Sequence, residues 1–140
     1  MNPYFPNIWA VLVAAVIPMV VGALWYGPLF GKKWLQMVEQ TEEEIRATFN
    51  PTKSYGVTYL MAVLMAFVLA HILQAYDDAY TLSGWAAGMQ GGFWIWLGFV
   101  LTIGWQAVSF ENKKLGLYGL NMAYNLVTLL LMGALLGVWR

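Results

Sequence analysis

The sequence predicts an all-α membrane protein in which four transmembrane helices form an up-and-down bundle, with short amphipathic helices in the first loop. Its seven basic and seven acidic residues all lie outside four apolar stretches that contain no charge. About 20 such residues let an α-helix cross the roughly 30 Å hydrocarbon core of a bilayer. The composition agrees, since 61% of the residues are hydrophobic and only 10% are charged. The four stretches are residues 8–26, 55–76, 85–110 and 115–139.

Each stretch is predicted to be helical because lipid offers no hydrogen-bond partners, so a spanning segment must satisfy its own backbone. A water-soluble four-helix bundle is excluded, since its helices carry a charged stripe on the solvent side and these stretches carry none. Residues 1–140 are therefore expected to form a single transmembrane domain. Between the stretches lie one long loop, residues 27–54, and two short connections, residues 77–84 and 111–114.

The first stretch and the loop after it contain local signals of their own. Pro18 lies in the middle of the stretch and is predicted to kink the helix, which frees a carbonyl for a neighbouring helix. Residues 32–40 mix apolar and charged side chains in the manner of a helix lying on the membrane surface. Thr41 and Glu44 have the spacing of a capping box. Pro51 then breaks the chain before the second stretch.

The orientation follows from the basic residues, because Lys and Arg in short loops are retained on the cytoplasmic side. The long loop and the 111–114 connection hold six of the seven, and only Arg140 lies on the other side. The 77–84 connection carries Asp77 and Asp78 and no cation. Both termini are therefore expected to face outward, with residues 27–54 forming an interfacial cytoplasmic loop. The six basic residues are Lys32, Lys33, Arg46, Lys53, Lys113 and Lys114.

Trp and Tyr favour the membrane interface, where ring and polar tip are both accommodated. The positions of these residues predict two aromatic belts that agree with the charge-based orientation. The outer belt consists of Trp9, Tyr76, Tyr80, Trp85 and Trp139, and the inner belt of Trp25, Tyr26, Tyr55, Tyr59, Trp105 and Tyr118.

Small residues recur at every fourth position in all four stretches, which lets helix backbones approach closely in lipid. The rows predict tight helix contacts, but they do not distinguish contacts within one subunit from contacts between subunits. A homo-oligomer is expected, with a dimer favoured because two-fold closure is the commonest symmetry. The rows are Ala10, Ala14, Pro18 and Gly22; Ala62, Ala66 and Ala70; Gly84, Gly88 and Gly92; and Gly133 and Gly137.

Polar residues inside the stretches are the candidates for a ligand or ion path, because each is costly in lipid unless paired. His71, Gln74 and Asp78 share one face near the end of the second stretch. A histidine beside a carboxylate is suited to proton transfer or weak cation binding. The alternative is that His71 bonds a neighbouring helix and Asp78 is simply solvated.

A second polar row lies on the fourth stretch, where Asn121, Asn125 and Thr128 share a face with Tyr124 beside it. Gln106 of the third stretch belongs to the same half of the membrane and is expected to face this row. Asn and Thr commonly bridge helices in lipid, so interhelical bonding is the favoured interpretation. The alternative is a polar lining for a pore or a ligand cavity.

Three runs of sequence resemble a known family. The run at residues 24–34 reads LWYGPLFGKKW and is similar to the signature of the DUF1761 family of small, mainly bacterial membrane proteins. Residues 97–100, LGFV, and the runs NMAYN at 121–125 and LLMGALLGVW at 130–139 are similar to it as well. The resemblance covers nearly the whole chain. It implies four spans and a bacterial cytoplasmic membrane, and it brings no catalytic residues.

Several function classes are excluded or disfavoured. The chain has no Cys, one His and no glycine-rich phosphate loop, so no catalytic, cofactor-binding or metal-binding residues are predicted. A formally neutral chain gives no support for nucleic-acid binding. The favoured function is that of a non-catalytic, oligomeric structural or accessory membrane protein, with membrane lipids as partners. The alternatives are a small-solute or ion transporter or channel, and a binder of lipid or another apolar ligand.

Overall fold

A computed structural model describes residues 5–140, of which most are helical and none forms a strand. Four helices are long and apolar enough to cross a membrane, as predicted. We call them the first to fourth spans: Ile8–Leu29, Pro51–Tyr80, Trp85–Ser109 and Leu115–Val138.

The first span is interrupted just before Pro18, which lies in the first turn of its second helix. It consists of helices Ile8–Ala14 and Ile17–Leu24 followed by a π-helical turn, Trp25–Leu29. At the interruption the Val16 N–H bonds the Val13 carbonyl at 3.0 Å, one residue short of its α-helical partner. The Leu12 carbonyl is thereby released, and the Tyr59 hydroxyl of the second span donates to it at 3.1 Å.

The second span is longer than predicted at both ends. Its N-terminus is capped by Asn50, whose side chain accepts from the Lys53 N–H, and it ends at Thr81 with φ of 54°. The charge-free stretch, residues 55–76, forms the middle of this helix. A charge limits burial in lipid but not helix formation, so the helix continues past Lys53 and Asp77. The connection to the third span is correspondingly shorter.

The third span is segmented, whereas the fourth is a continuous helix. The third consists of helix Trp85–Ile95, a π-helical turn Trp96–Val100, and short helices Leu101–Gly104 and Gln106–Ser109. The long loop holds helices Gly31–Met37 and Glu42–Thr48. The second of these begins with the predicted capping box, in which both hydrogen bonds between Thr41 and Glu44 are formed.

The third and fourth spans touch backbone to backbone through their glycines. A Cβ added to Gly88 would overlap the Gly133 carbonyl, and one added to Gly137 would overlap the Gly84 carbonyl. A Cβ on Gly92 would likewise meet the carbonyl of Leu129. The glycine rows of these two spans therefore face each other within one chain.

The apolar core lies between the first, second and fourth spans. Ala62 is buried just outside its centre, Ala70 is half-buried, and Gly22 lies against the Tyr124 ring. The third span closes over the core where Gly91 leaves room for Leu73. The core consists of Ala10, Val11 and Ala14; Ala66, Leu69 and Leu73; and Leu129, Met132 and Leu136.

The bundle has two ends, which we call the terminal face and the loop face. The terminal face is the end at which Phe5 packs near His71 and Arg140 pairs with Asp77. The loop face is the opposite end, where the long loop packs on the start of the fourth span, since a Cβ added to Gly116 would lie 3.0 Å from the Met37 sulfur.

Candidate functional site

An open cleft of about 560 Å³ lies at the terminal face. Its walls come from the start of the first span, the end of the second and the end of the fourth. Its apolar lining includes Trp9, Ala70, Leu136 and Trp139. A larger side chain at position 70 would extend into this space.

Charged groups line the same cleft. The Arg140 guanidinium lies 2.5 Å from the Asp77 carboxylate, which ties the end of the chain to the second span. Asp78 follows on the same helix and is exposed, and it forms no ion pair with any of residues 5–140. The cleft therefore holds two carboxylates and one guanidinium.

The predicted row of His71, Gln74 and Asp78 is only partly gathered at this site. Gln74 and Asp78 line the cleft, whereas His71 does not. The His71 Nδ1 lies 3.0 Å from the Phe67 carbonyl of its own helix, and its ring packs against Phe67 with 4.5 Å between centroids. His71 is thus held by local contacts beside the cleft.

A second polar cluster lies toward the loop face, where aromatic side chains join the first and fourth spans. We call it the aromatic clamp. Its three hydrogen bonds run from Trp25 Nε1 to the Leu120 carbonyl (3.2 Å), from the Tyr26 hydroxyl to Asn121 Oδ1 (2.6 Å) and from the Tyr124 hydroxyl to the Pro18 carbonyl (2.9 Å).

Two further bonds of the same kind join the third and fourth spans. The Trp96 indole donates to the Met122 carbonyl at 2.8 Å, and the Tyr118 hydroxyl donates to the Leu101 carbonyl at 2.6 Å. The acceptor of the first bond lies next to the clamp. A short stretch of the fourth span, residues 118–124, is therefore held by both neighbours.

The remaining members of the second polar row are not gathered into one site. Asn121 bonds Tyr26, while Gln106 is exposed and makes no hydrogen bond to the row. Asn125 is half-buried, and its side chain bonds no other described residue. Thr128 is buried beside Tyr124, but its hydroxyl makes no hydrogen bond of good geometry within residues 5–140.

The aromatic-belt prediction missed the clamp. It assigned Trp25, Tyr26, Tyr59 and Tyr118 to the inner interface, but their polar tips donate to groups on other spans. A buried indole or phenol needs a hydrogen-bond partner, and a helix carbonyl can accept a second bond.

The sequence profile of a family described as a protein of unknown function, DUF1761, matches residues 9–137. The chain belongs to the DUF1761 family. This confirms the resemblance drawn from the LWYGPLFGKKW run and its companions. Every residue of the aromatic clamp lies within the DUF1761 match, whereas Phe5, Trp139 and Arg140 of the cleft lie outside it. Searches of curated proteins and of solved structures found no match.

The Tyr26 hydrogen bond is expected to stabilise this DUF1761 protein. Replacing Tyr26 by phenylalanine is expected to lower the free energy of unfolding by about 1 kcal/mol, because the Asn121 carbonyl loses its partner in a lipid-covered bundle. Unfolding in a detergent titration followed by circular dichroism measures the change. Tyr55→Phe is the matched control, since Tyr55 is exposed and its hydroxyl makes no hydrogen bond within residues 5–140. Equal effects of the two substitutions would mean that the bond contributes nothing.

Proposed function

We propose that this protein is a non-catalytic, multi-pass membrane protein that binds an amphipathic ligand in the cleft at the terminal face. The observation that carries the proposal is the cleft, whose apolar walls belong to membrane-spanning helices and whose charged groups lie at their ends. Its volume of about 560 Å³ falls within the range of small-molecule sites, which are mostly apolar with a few polar groups.

The arrangement suits a molecule with a tail and a head. Ala70 lines the apolar part of the cleft, and Asp78 lies eight residues further along the same helix. At 1.5 Å per residue this separation is about 12 Å. A ligand lying along the second span would therefore have its tail against Ala70 and Leu136 and its head among the charged side chains.

The proposal includes a location. We propose that the four spans cross a bacterial cytoplasmic membrane up and down, with both termini outside. Six of the seven basic residues lie in the long loop and in residues 111–114, which favours the cytoplasmic side for that end. The cleft would then open toward the outer leaflet. That the protein forms a homo-oligomer, with a dimer favoured, stays a prediction.

The transporter or channel alternative has less support. A permeation path would need to join the cleft to the polar groups around Asn121. Leu129 and Met132 lie between them on the fourth span and are 4% and 0% exposed, and Ala66 of the second span is 0% exposed. These side chains form a continuous apolar layer. A structural or accessory role, which composition favours, requires no cleft, so the cleft is what favours binding.

The test uses amphiphiles that share one long alkyl chain and one nitroxide label and that carry a trimethylammonium, a methyl ester or a sulfate head. With the protein in phosphatidylcholine nanodiscs, electron paramagnetic resonance should detect saturable immobilisation of at least one probe. Ala70→Trp is expected to abolish it by filling the cleft. Ala75→Trp is the matched control, because Ala75 is exposed on the same helix and does not line the cleft. If immobilisation did not saturate, or were equal in both variants, the probe would be in ordinary lipid-like contact with the protein surface. That result would contradict the proposal.

A further inference from the structure

The charges of the chain are divided between the two ends of the bundle. At the terminal face, Arg140 is the one basic side chain among the described residues, since the other six lie in the long loop and in residues 111–114. Its guanidinium is engaged by Asp77 at 2.5 Å. Asp78 is left with a negative charge that no described cation neutralises. The cleft therefore has an excess of negative charge next to an apolar wall.

Aromatic rings line the same cleft with their surfaces open. Trp9 is 68% exposed, Phe5 is 67% exposed and Trp139 is 41% exposed. The face of an aromatic ring attracts a cation, and tryptophan does so best. Groups that bind quaternary ammonium ions in proteins combine such rings with nearby negative charge. Both elements are present here on three different segments of the chain.

An anionic head is disfavoured by the same groups. Its natural partner, Arg140, already pairs with the Asp77 carboxylate, which neutralises most of the attraction that the guanidinium would offer to an anion. It would also lie close to two carboxylates, and like charges repel strongly where the surroundings are partly apolar. A neutral head would gain neither interaction. The groups in the cleft therefore favour a cationic head over an anionic or a neutral one.

We infer that the ligand of the terminal cleft is a hydrophobic cation, an amphiphile with an amine or quaternary ammonium head. Asp78 supplies the counter-charge, and the Trp9 and Trp139 rings supply the walls around the head. This inference rests on the proposed function, because it names the chemical class of the ligand for the same cleft.

The same three labelled amphiphiles test the inference when their affinities are compared at low salt. The trimethylammonium probe is expected to bind about three- to tenfold more tightly than the methyl ester, the ratio that one partly solvated charge interaction provides. The sulfate probe is expected to bind most weakly. Asp78→Asn should remove the preference for the cation, so that the trimethylammonium and methyl ester affinities become equal, and circular dichroism checks that the variant is folded.

Glu111→Gln is the matched control, since it changes the net charge equally at an exposed position at the other end of the bundle. It should keep the full preference. Equal affinities for the three heads in the unmodified protein, or a cation preference that Asp78→Asn retains, would overturn the inference while leaving the cleft as a binding site. Loss of saturable binding for all three probes would instead remove the proposed function itself.

Discussion

Replacing Gly133 by alanine is expected to lower the free energy of unfolding by about 3 kcal/mol or more. Overfilling a well-packed interface typically costs about 1–3 kcal/mol even when side chains can adjust. Here the added methyl group would meet the backbone carbonyl of Gly88, which cannot rotate away. The third and fourth spans would have to separate along their shared glycine row. Detergent-titrated unfolding, followed by circular dichroism, measures the loss.

Gly119→Ala is the matched control for this substitution. Gly119 lies on the same helix, and a Cβ there would meet no atom within 4 Å. Alanine is the better helix former by up to about 1 kcal/mol, so this variant should be neutral or slightly more stable. If Gly133→Ala unfolded like Gly119→Ala, the two spans would not approach each other as described.

Cysteine labelling in intact bacterial cells is expected to give an all-or-none result. The chain contains no cysteine, so maleimide labelling of a single-cysteine variant comes from the introduced residue alone. Ser83→Cys should react with a membrane-impermeant maleimide, whereas Lys53→Cys and Lys113→Cys should react only after the membrane is permeabilised. The reason is the concentration of Lys and Arg at the loop face.

All three labelling positions are exposed, so detergent-solubilised protein should label at each of them, which controls for local burial. The opposite pattern in intact cells would invert the proposed orientation. Labelling of Lys53→Cys and Ser83→Cys from the same side would show that the second span does not cross the membrane.

Features that depend on neighbouring residues could be predicted from the sequence. The four spans follow from charge-free stretches, since the cost of a charge in lipid is a property of each residue. The capping box at Thr41 and Glu44 depends on a three-residue spacing, and the interruption at Pro18 depends on one missing N–H. The helix ends at Pro51 and Tyr80 lie beyond the charge-free stretch, because helix termini outside lipid are set by capping and not by charge.

Features that depend on how the helices meet could not be predicted. Tyr26 and Asn121 are 95 residues apart in the chain, and their bond requires one particular register between the first and fourth spans. Asn121 was expected to face Gln106, but its side chain accepts from the Tyr26 hydroxyl, and Gln106 is exposed. The cleft arises where three separate segments leave space around Ala70, and no local pattern records such a gap.

The two kinds of interhelical contact in this bundle differ in their mechanical properties. The glycine faces of the third and fourth spans fit in a single register, because each carbonyl occupies the notch left by a particular missing side chain. The first span packs small residues into the core and adds hydroxyl and indole donors on backbone carbonyls, and an equivalent acceptor recurs about every 5.4 Å along a helix. We therefore expect the third and fourth spans to move as one rigid unit. We expect the first span, which forms one wall of the terminal cleft, to adjust more readily to ligands of different width.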